Sequence, residues 1–133
     1  MKTFKNAIVL AIFTFGLFAF TVVQTEWVVP AEYKSMTNPT DPEDEEGLEI
    51  GEELYMKHCK SCHGKEGLGD GPKAAEQKGE LGDFSSSEFQ SQTDGELFYK
   101  SKIGRDDMPD FSKKIPEDED IWFIVNYMRA LGE

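Results

Sequence analysis

Both cysteines of this chain fall in one pentapeptide, Cys59-Lys60-Ser61-Cys62-His63, and that frame constrains the fold more than any other feature. Two thiols one helical turn apart can each add to a porphyrin vinyl group, and the imidazole that follows is then held over the iron. A redox-active C-x-x-C would sit in a βαβ pattern, which the surrounding residues do not show. A structural zinc site would need four ligands, and His58 is the only histidine left over. The frame therefore predicts one covalent c-type haem, joined to Cys59 and Cys62, with His63 on its iron. His58, one residue before Cys59 on the preceding helix, reads as a surface or packing histidine.

A haem would also answer a shortage. Of 51 apolar residues in 133, 14 lie between Ala7 and Val23, and only 35 remain for the 110 residues from Gln24 onward. A soluble part that lean needs a metal, disulfides or a large cofactor to complete its core. The same 110 residues carry 12 Lys and Arg against 26 Asp and Glu, a formal balance of −14. Such a balance excludes nucleic acid as a partner and repels the domain from anionic lipid.

The apolar segment, AIVLAIFTFGLFAFTVV at residues 7–23, follows Lys2 and Lys5. As a helix it would span roughly 26 Å, at the lower limit for a bilayer and longer than the apolar part of most export signals. The nearest cleavage frame, Val29-Pro30-Ala31, is distant and contains a proline, so residues 1–23 read as a retained membrane anchor in preference to a cleaved signal. No cysteine stands near enough for lipid attachment. Lysines before the run and acids after it place the rest of the chain on the outer, periplasmic side of the cytoplasmic membrane, or free in the periplasm if the segment is cut. Trp27 and Tyr33 are candidates for the headgroup level, or ordinary linker aromatics.

Residues 24–46 contain Pro30, Pro39, Pro42 and an acidic run, without helical or strand periodicity, and read as a solvated tether. Residues 47–133 form the expected domain. A helix over Leu48–Lys60 would present Ile50, Leu54 and Tyr55 on one side, entered through acids that suit its dipole. Six glycines between residues 64 and 83, with Pro72, predict a long loop with a short helical turn at Ala74-Ala75. Thr93 and Glu96 have the spacing of a capping box for a helix ending at Gly104. A last helix is expected from Pro116 at its first position, with Ile121, Trp122, Ile124, Val125, Met128 and Leu131 on its buried face. Nothing alternates like a strand, so the soluble part is all-α.

The iron needs a sixth ligand or an open position. Met1 precedes the anchor, Met36 lies in the tether, Met56 is on the first helix and Met128 belongs to an apolar helix face. Met108 stands alone in the polar loop Gly104-Arg105-Asp106-Asp107-Met108-Pro109-Asp110-Phe111, where Pro109 would stiffen its presentation. Thioether ligation at Met108 favours ferrous iron and closes it to small molecules, which suits electron transfer and not catalysis.

The residues from about Gly47 to Leu131 resemble a class I monohaem cytochrome c. The resemblance runs through Gly51-x-x-x-Tyr55-x-x-x-Cys59-x-x-Cys62-His63-Gly64, Gly67-x-Gly69-Asp70-Gly71-Pro72, the Met108-Pro109-x-Phe111 loop and Ile121-Trp122 to Tyr127-Met128-Arg129. It implies that the terminal helices cross, with Gly51 and Tyr55 against Trp122, Val125 and Tyr127. It also implies that the Pro72 carbonyl accepts the His63 ring N–H, which would orient the ring. Arg105 is a candidate for a haem propionate or a solvated loop arginine. The function implied is that of an electron carrier, not an enzyme, serving a redox-protein donor and acceptor in a respiratory chain, with membrane contact through the N-terminal helix. The acidic balance points to a basic docking surface on those partners. The alternative is a haem subunit of a larger quinol-oxidising or terminal oxidase complex. A peroxidase would need an open iron and distal groups, and only Arg105 is near.

Overall fold

A computed structural model describes residues 26–133; the apolar segment at 7–23 lies outside them. Their elements are α1 (Ala31–Lys34), α2 (Glu45–His58), α3 (Lys60–His63), a 3-10 turn (Ala74–Glu76), α4 (Ser87–Gln90), α5 (Asp94–Ile103) and α6 (Asp118–Ala130). Among the described residues there is no strand, only an isolated bridge between Arg105 and Met108. No described helix is long and apolar enough to cross a membrane.

The fold is organised by the crossing of α2 and α6. The contact ridge of α2 is Gly47, Gly51 and Tyr55, four residues apart and all buried, while Ile50 and Leu54 are only half-buried. Residues four apart lie on one face, and at this face the two glycines remove the side chains that would hold the helices apart. A Cβ on Gly47 would stand 2.6 Å from the Phe123 ring, and one on Gly51 would overlap the Phe123 carbonyl. The opposing face of α6 buries Ile121, Trp122, Ile124, Val125 and Met128, as its spacing predicts. Tyr55 is fully buried, and its hydroxyl donates to the Gly64 carbonyl at 2.8 Å. That bond ties α2 to the loop that follows His63.

Helix α5 has the capping box its sequence predicts: the Thr93 hydroxyl accepts from the Glu96 N–H, and the Glu96 carboxylate accepts from the Thr93 N–H. It ends at Gly104, at φ +69°. Phe98 stacks on Trp122 with centroids 4.2 Å apart, joining α5 to α6. Pro116 is not the first residue of α6, which starts at Asp118 with Glu117 as its N-cap. Phe111 and Ile115 must both enter the core from a turn closed by the Ile115 N–H on the Phe111 carbonyl (2.8 Å), and Pro116 follows directly from that turn, outside the helix.

The segment read as a solvated tether is a strap docked on the domain through a few of its residues. Val29 is 3% exposed, Tyr33 of α1 stacks against Phe98 and packs at a tilt against Tyr99, and its carbonyl fills the space a Cβ on Gly95 would need. Further along, Asn38 Nδ2 donates to Asn126 Oδ1 at 2.7 Å, and Asn126 Nδ2 donates to Thr40 Oγ1 at 3.0 Å. Asn126 is buried on α6, so its amide needs partners, and the strap supplies them. Residues 34–37 and 41–46 are exposed as expected, and Glu45 and Glu46 already belong to α2.

Candidate haem site

The Cys-x-x-Cys-His residues form a tight turn at the end of α2. Cys62 and His63 both donate their backbone N–H to the Cys59 carbonyl, at 3.1 and 3.0 Å. Both thiols are free and half-buried. Burial, and then the neighbouring Cys62, pushes the Cys59 thiol up to about 12, so it is protonated at neutral pH.

The glycine-rich loop fixes this turn through its backbone. The last carbonyls of a helix have no partner within it. Here Gly64, Gly69, Gly71 and Lys73 donate their N–H groups to the carbonyls of Lys60, His63, Cys62 and Ser61, at 2.8–3.1 Å. The loop can lie so close only because residue 71 is glycine: a Cβ there would meet three carbonyl oxygens of α3 at 2.5–2.6 Å. The sequence marks the segment as loop but does not reveal this capping role.

His63 is half-buried against Phe84, ring centroids 4.8 Å apart, and its Nδ1 is buried with no hydrogen-bond partner. Burial lowers its pKa, offset only in part by the nearby Leu81 backbone, and so favours the neutral ring that ligates metals. The expectation that the Pro72 carbonyl accepts from the ring is not met. The backbone on either side of Pro72 is drawn onto α3 through the Gly71 and Lys73 N–H groups, whereas the imidazole faces Phe84 and Leu81. A bare imidazole nitrogen inside a protein costs about 1–3 kcal/mol. Beside two free thiols on one turn, it makes a donor set that fits a covalent haem.

The loop carrying Met108 borders the same cleft as Cys62. Arg105 and Met108 exchange both backbone hydrogen bonds at 2.9 Å, the Phe111 N–H donates to the Lys102 carbonyl at 2.9 Å, and Asp107 accepts from the Lys78 N–H at 2.9 Å. Met108 is half-buried and Phe111 buried. That cleft, of about 400 Å³, is lined by Ser61 and Cys62 and by Asp107 and Pro109, which flank Met108. His58 packs edge-on against Phe111 at 5.8 Å, and burial followed by Lys57 and Lys114 lowers its pKa. It is a packing residue, as its position suggests.

Arg105 is not a solvated loop arginine. Its guanidinium lies 4.7 Å from the centre of the Trp27 ring, with Nε 3.3 Å from the Asp106 carboxylate. The sequence reading also missed Phe84, which packs against His63, Tyr55 and Phe89. It stands in a polar stretch with no periodicity to flag it.

Comparison with known proteins agrees with this geometry. The family model described as "Cytochrome C oxidase, cbb3-type, subunit III" matches residues 46–128, more than half of the chain. The chain belongs to this cytochrome c family. A chain of the Kuenenia stuttgartiensis reducing HAO-like protein complex is 28% identical, with a TM-score of 0.63 over 71% of the cytochrome and 47% of that chain. The cytochrome thus spans about half of that relative's length. The KustC0563 c-type cytochrome is 25% identical, with a TM-score of 0.54 over 62% of the present chain and 98% of its own. No curated relative matches. The protein is a class I monohaem cytochrome c, and its cofactor is a covalently bound haem c with iron.

Proposed function

We propose that the cytochrome passes single electrons between redox proteins, with its haem joined to Cys59 and Cys62 and its iron held between His63 and Met108. The observation that carries this reading is the shared cleft, lined by Cys62 and by both sequence neighbours of Met108. Bound haem supplies a one-electron couple between ferrous and ferric iron. The protein's part is to hold that iron still. The half-buried His63 ring, whose Nδ1 has no hydrogen-bond partner, supplies a nitrogen ligand, and the hydrogen-bonded Arg105–Met108 bridge supports a fixed thioether. A site closed by two protein ligands excludes small molecules, which favours transfer over catalysis.

The setting proposed is a respiratory chain outside the cytoplasmic membrane, with residues 1–23 as anchor, residues 47–133 as the haem domain, and a donor and acceptor that dock through basic surfaces. A second reading, a haem subunit held within a larger complex, is favoured by the family's description as an oxidase subunit and by the similar chain from a multi-protein complex. Purification in mild detergent separates the two, since a carrier runs as a free monomer and a subunit co-migrates in fixed stoichiometry.

Absorbance of the ferric protein tests the ligand pair. A weak sulfur-to-iron charge-transfer band is expected in the native cytochrome and should vanish in Met108→Ala. Its absence from the native protein, or its survival in the variant, overturns the assignment.

A further inference from the structure

We infer that Trp27 is a positioning residue for the methionine loop, acting through a clamp on Arg105; the inference rests on Met108 as the axial ligand. The indole lies across the point where α5 gives way to that loop. Lys100 Nζ, in the last turn of α5, lies 5.7 Å from the ring centre, and the Arg105 guanidinium, directly after Gly104, lies 4.7 Å from it. Arg105 in turn exchanges both backbone hydrogen bonds with Met108. Whatever fixes Arg105 therefore fixes the backbone from which the Met108 thioether projects.

The loop has reason to need bracing. Gly104 and Asp106 have φ of +69° and +54°, a region uncommon for residues other than glycine, although aspartate and asparagine enter it more readily than most. Asp106, Asp107, Pro109 and Asp110 are exposed, so little burial holds the segment in place. Further holds are Asp107 on the Lys78 N–H, from the glycine-rich loop, and the Phe111 N–H on the Lys102 carbonyl. Trp27 is well placed to resist opening because the strap directly behind it is anchored: Val29 is 3% exposed, and Tyr33 stacks on Phe98 with Tyr99 tilted against it. A cation stacked on a tryptophan face is held by the ring quadrupole, and the contact strengthens as water is excluded. The strap is thereby joined to the ligand loop and not merely to the body of the domain.

The readout is the rate at which imidazole binds the ferric holoprotein, because an external ligand enters only when the methionine leaves. Trp27→Ala should raise that rate about fivefold, the scale of one cation–π contact, and Trp27→Phe should raise it less. Arg105→Gln, which also loses the Asp106 ion pair, should raise it at least as much as Trp27→Ala, and the double variant should bind no faster than Arg105→Gln alone. Asn38→Ala loosens the far end of the strap, so it should lower the denaturation midpoint while leaving the imidazole rate native. If Trp27→Ala does not fold, Trp27→Phe and Arg105→Gln carry the test. Native rates in the Trp27 and Arg105 variants, effects that multiply in the double variant, or an Asn38→Ala rate as high as that of Trp27→Ala would overturn the clamp. If the charge-transfer band survives Met108→Ala, the ligand assignment itself has failed; if that band is lost while the Trp27 variants behave as native, only the clamp has.

Discussion

Gly51 lies directly against the backbone of Phe123, with no space for a Cβ beside the Phe123 carbonyl. The terminal helices of the domain meet there, and the obstacle is backbone, which cannot swing aside as a flexible side chain can. Tyr55, one turn further along α2, is fully buried by the same crossing and reaches from it to Gly64.

Gly51→Ala should therefore destabilise the holoprotein by about 1–3 kcal/mol, the usual cost of overpacking a core. Gly79, with no atom within 4 Å of its would-be Cβ, provides the comparison: Gly79→Ala should stay within about 0.5 kcal/mol of native. Urea unfolding of both variants checks the pair.

Replacing Cys59 or Cys62 with serine should leave at most one thioether and much less holoprotein. Mass spectrometry of the native chain should show the polypeptide plus one haem. A pigment fully extracted from the native protein by acidified organic solvent would contradict covalent attachment.

The capping box gives a pH-dependent contribution of known sign. The Glu96 carboxyl is held below its ordinary value of 4.5, chiefly by the hydrogen bond from the Thr93 N–H and secondarily by Lys34 and Lys100. A carboxyl depressed in the folded state stabilises that state above its unfolded pKa, and the contribution is lost as the pH falls through the folded value. Glu96→Ala should cost about 1 kcal/mol at pH 7 and noticeably less at pH 3. Glu96→Gln preserves the reciprocal geometry and should show a flatter pH dependence than native. Unfolding midpoints at the two pH values decide it.

Reduction by a basic donor should slow as salt is added, because a −14 balance on residues 24–133 attracts at a range that a Debye length of about 8 Å cuts short. Lys57, Lys73 and Lys114 line the cleft beside Glu76 and Asp107, and they act only near contact. Combined Asp106→Asn and Asp107→Asn should weaken the salt dependence more than neutralising Asp41, Glu43 and Asp44. Asparagine tolerates the positive φ of residue 106 and keeps an oxygen for the Lys78 N–H. A stopped-flow rate that is flat in salt, or rises with it, would favour a cytochrome fixed inside a complex.

What the sequence by itself determined was chemistry and structure encoded over a few residues. Cys59, Cys62 and His63 name the cofactor because the attachment needs those groups at that spacing. Thr93 and Glu96 announce a helix start because each satisfies the other's backbone, and the face of α6 is legible because its apolar spacing repeats. Only the tertiary structure decided which residues meet across the chain. The strap pairs Asn38 with Asn126, 88 positions away, and no local period can announce such a pairing. The contact ridge of α2 is Gly47, Gly51 and Tyr55; the resemblance points to Gly51 and Tyr55, but a search for apolar faces does not find the glycines. The surroundings of His63 turned from Pro72 to Phe84 and Leu81, and Arg105 turned to Trp27. Each of those outcomes depends on how separate segments share space and satisfy buried polar groups, and that is settled when the segments pack together.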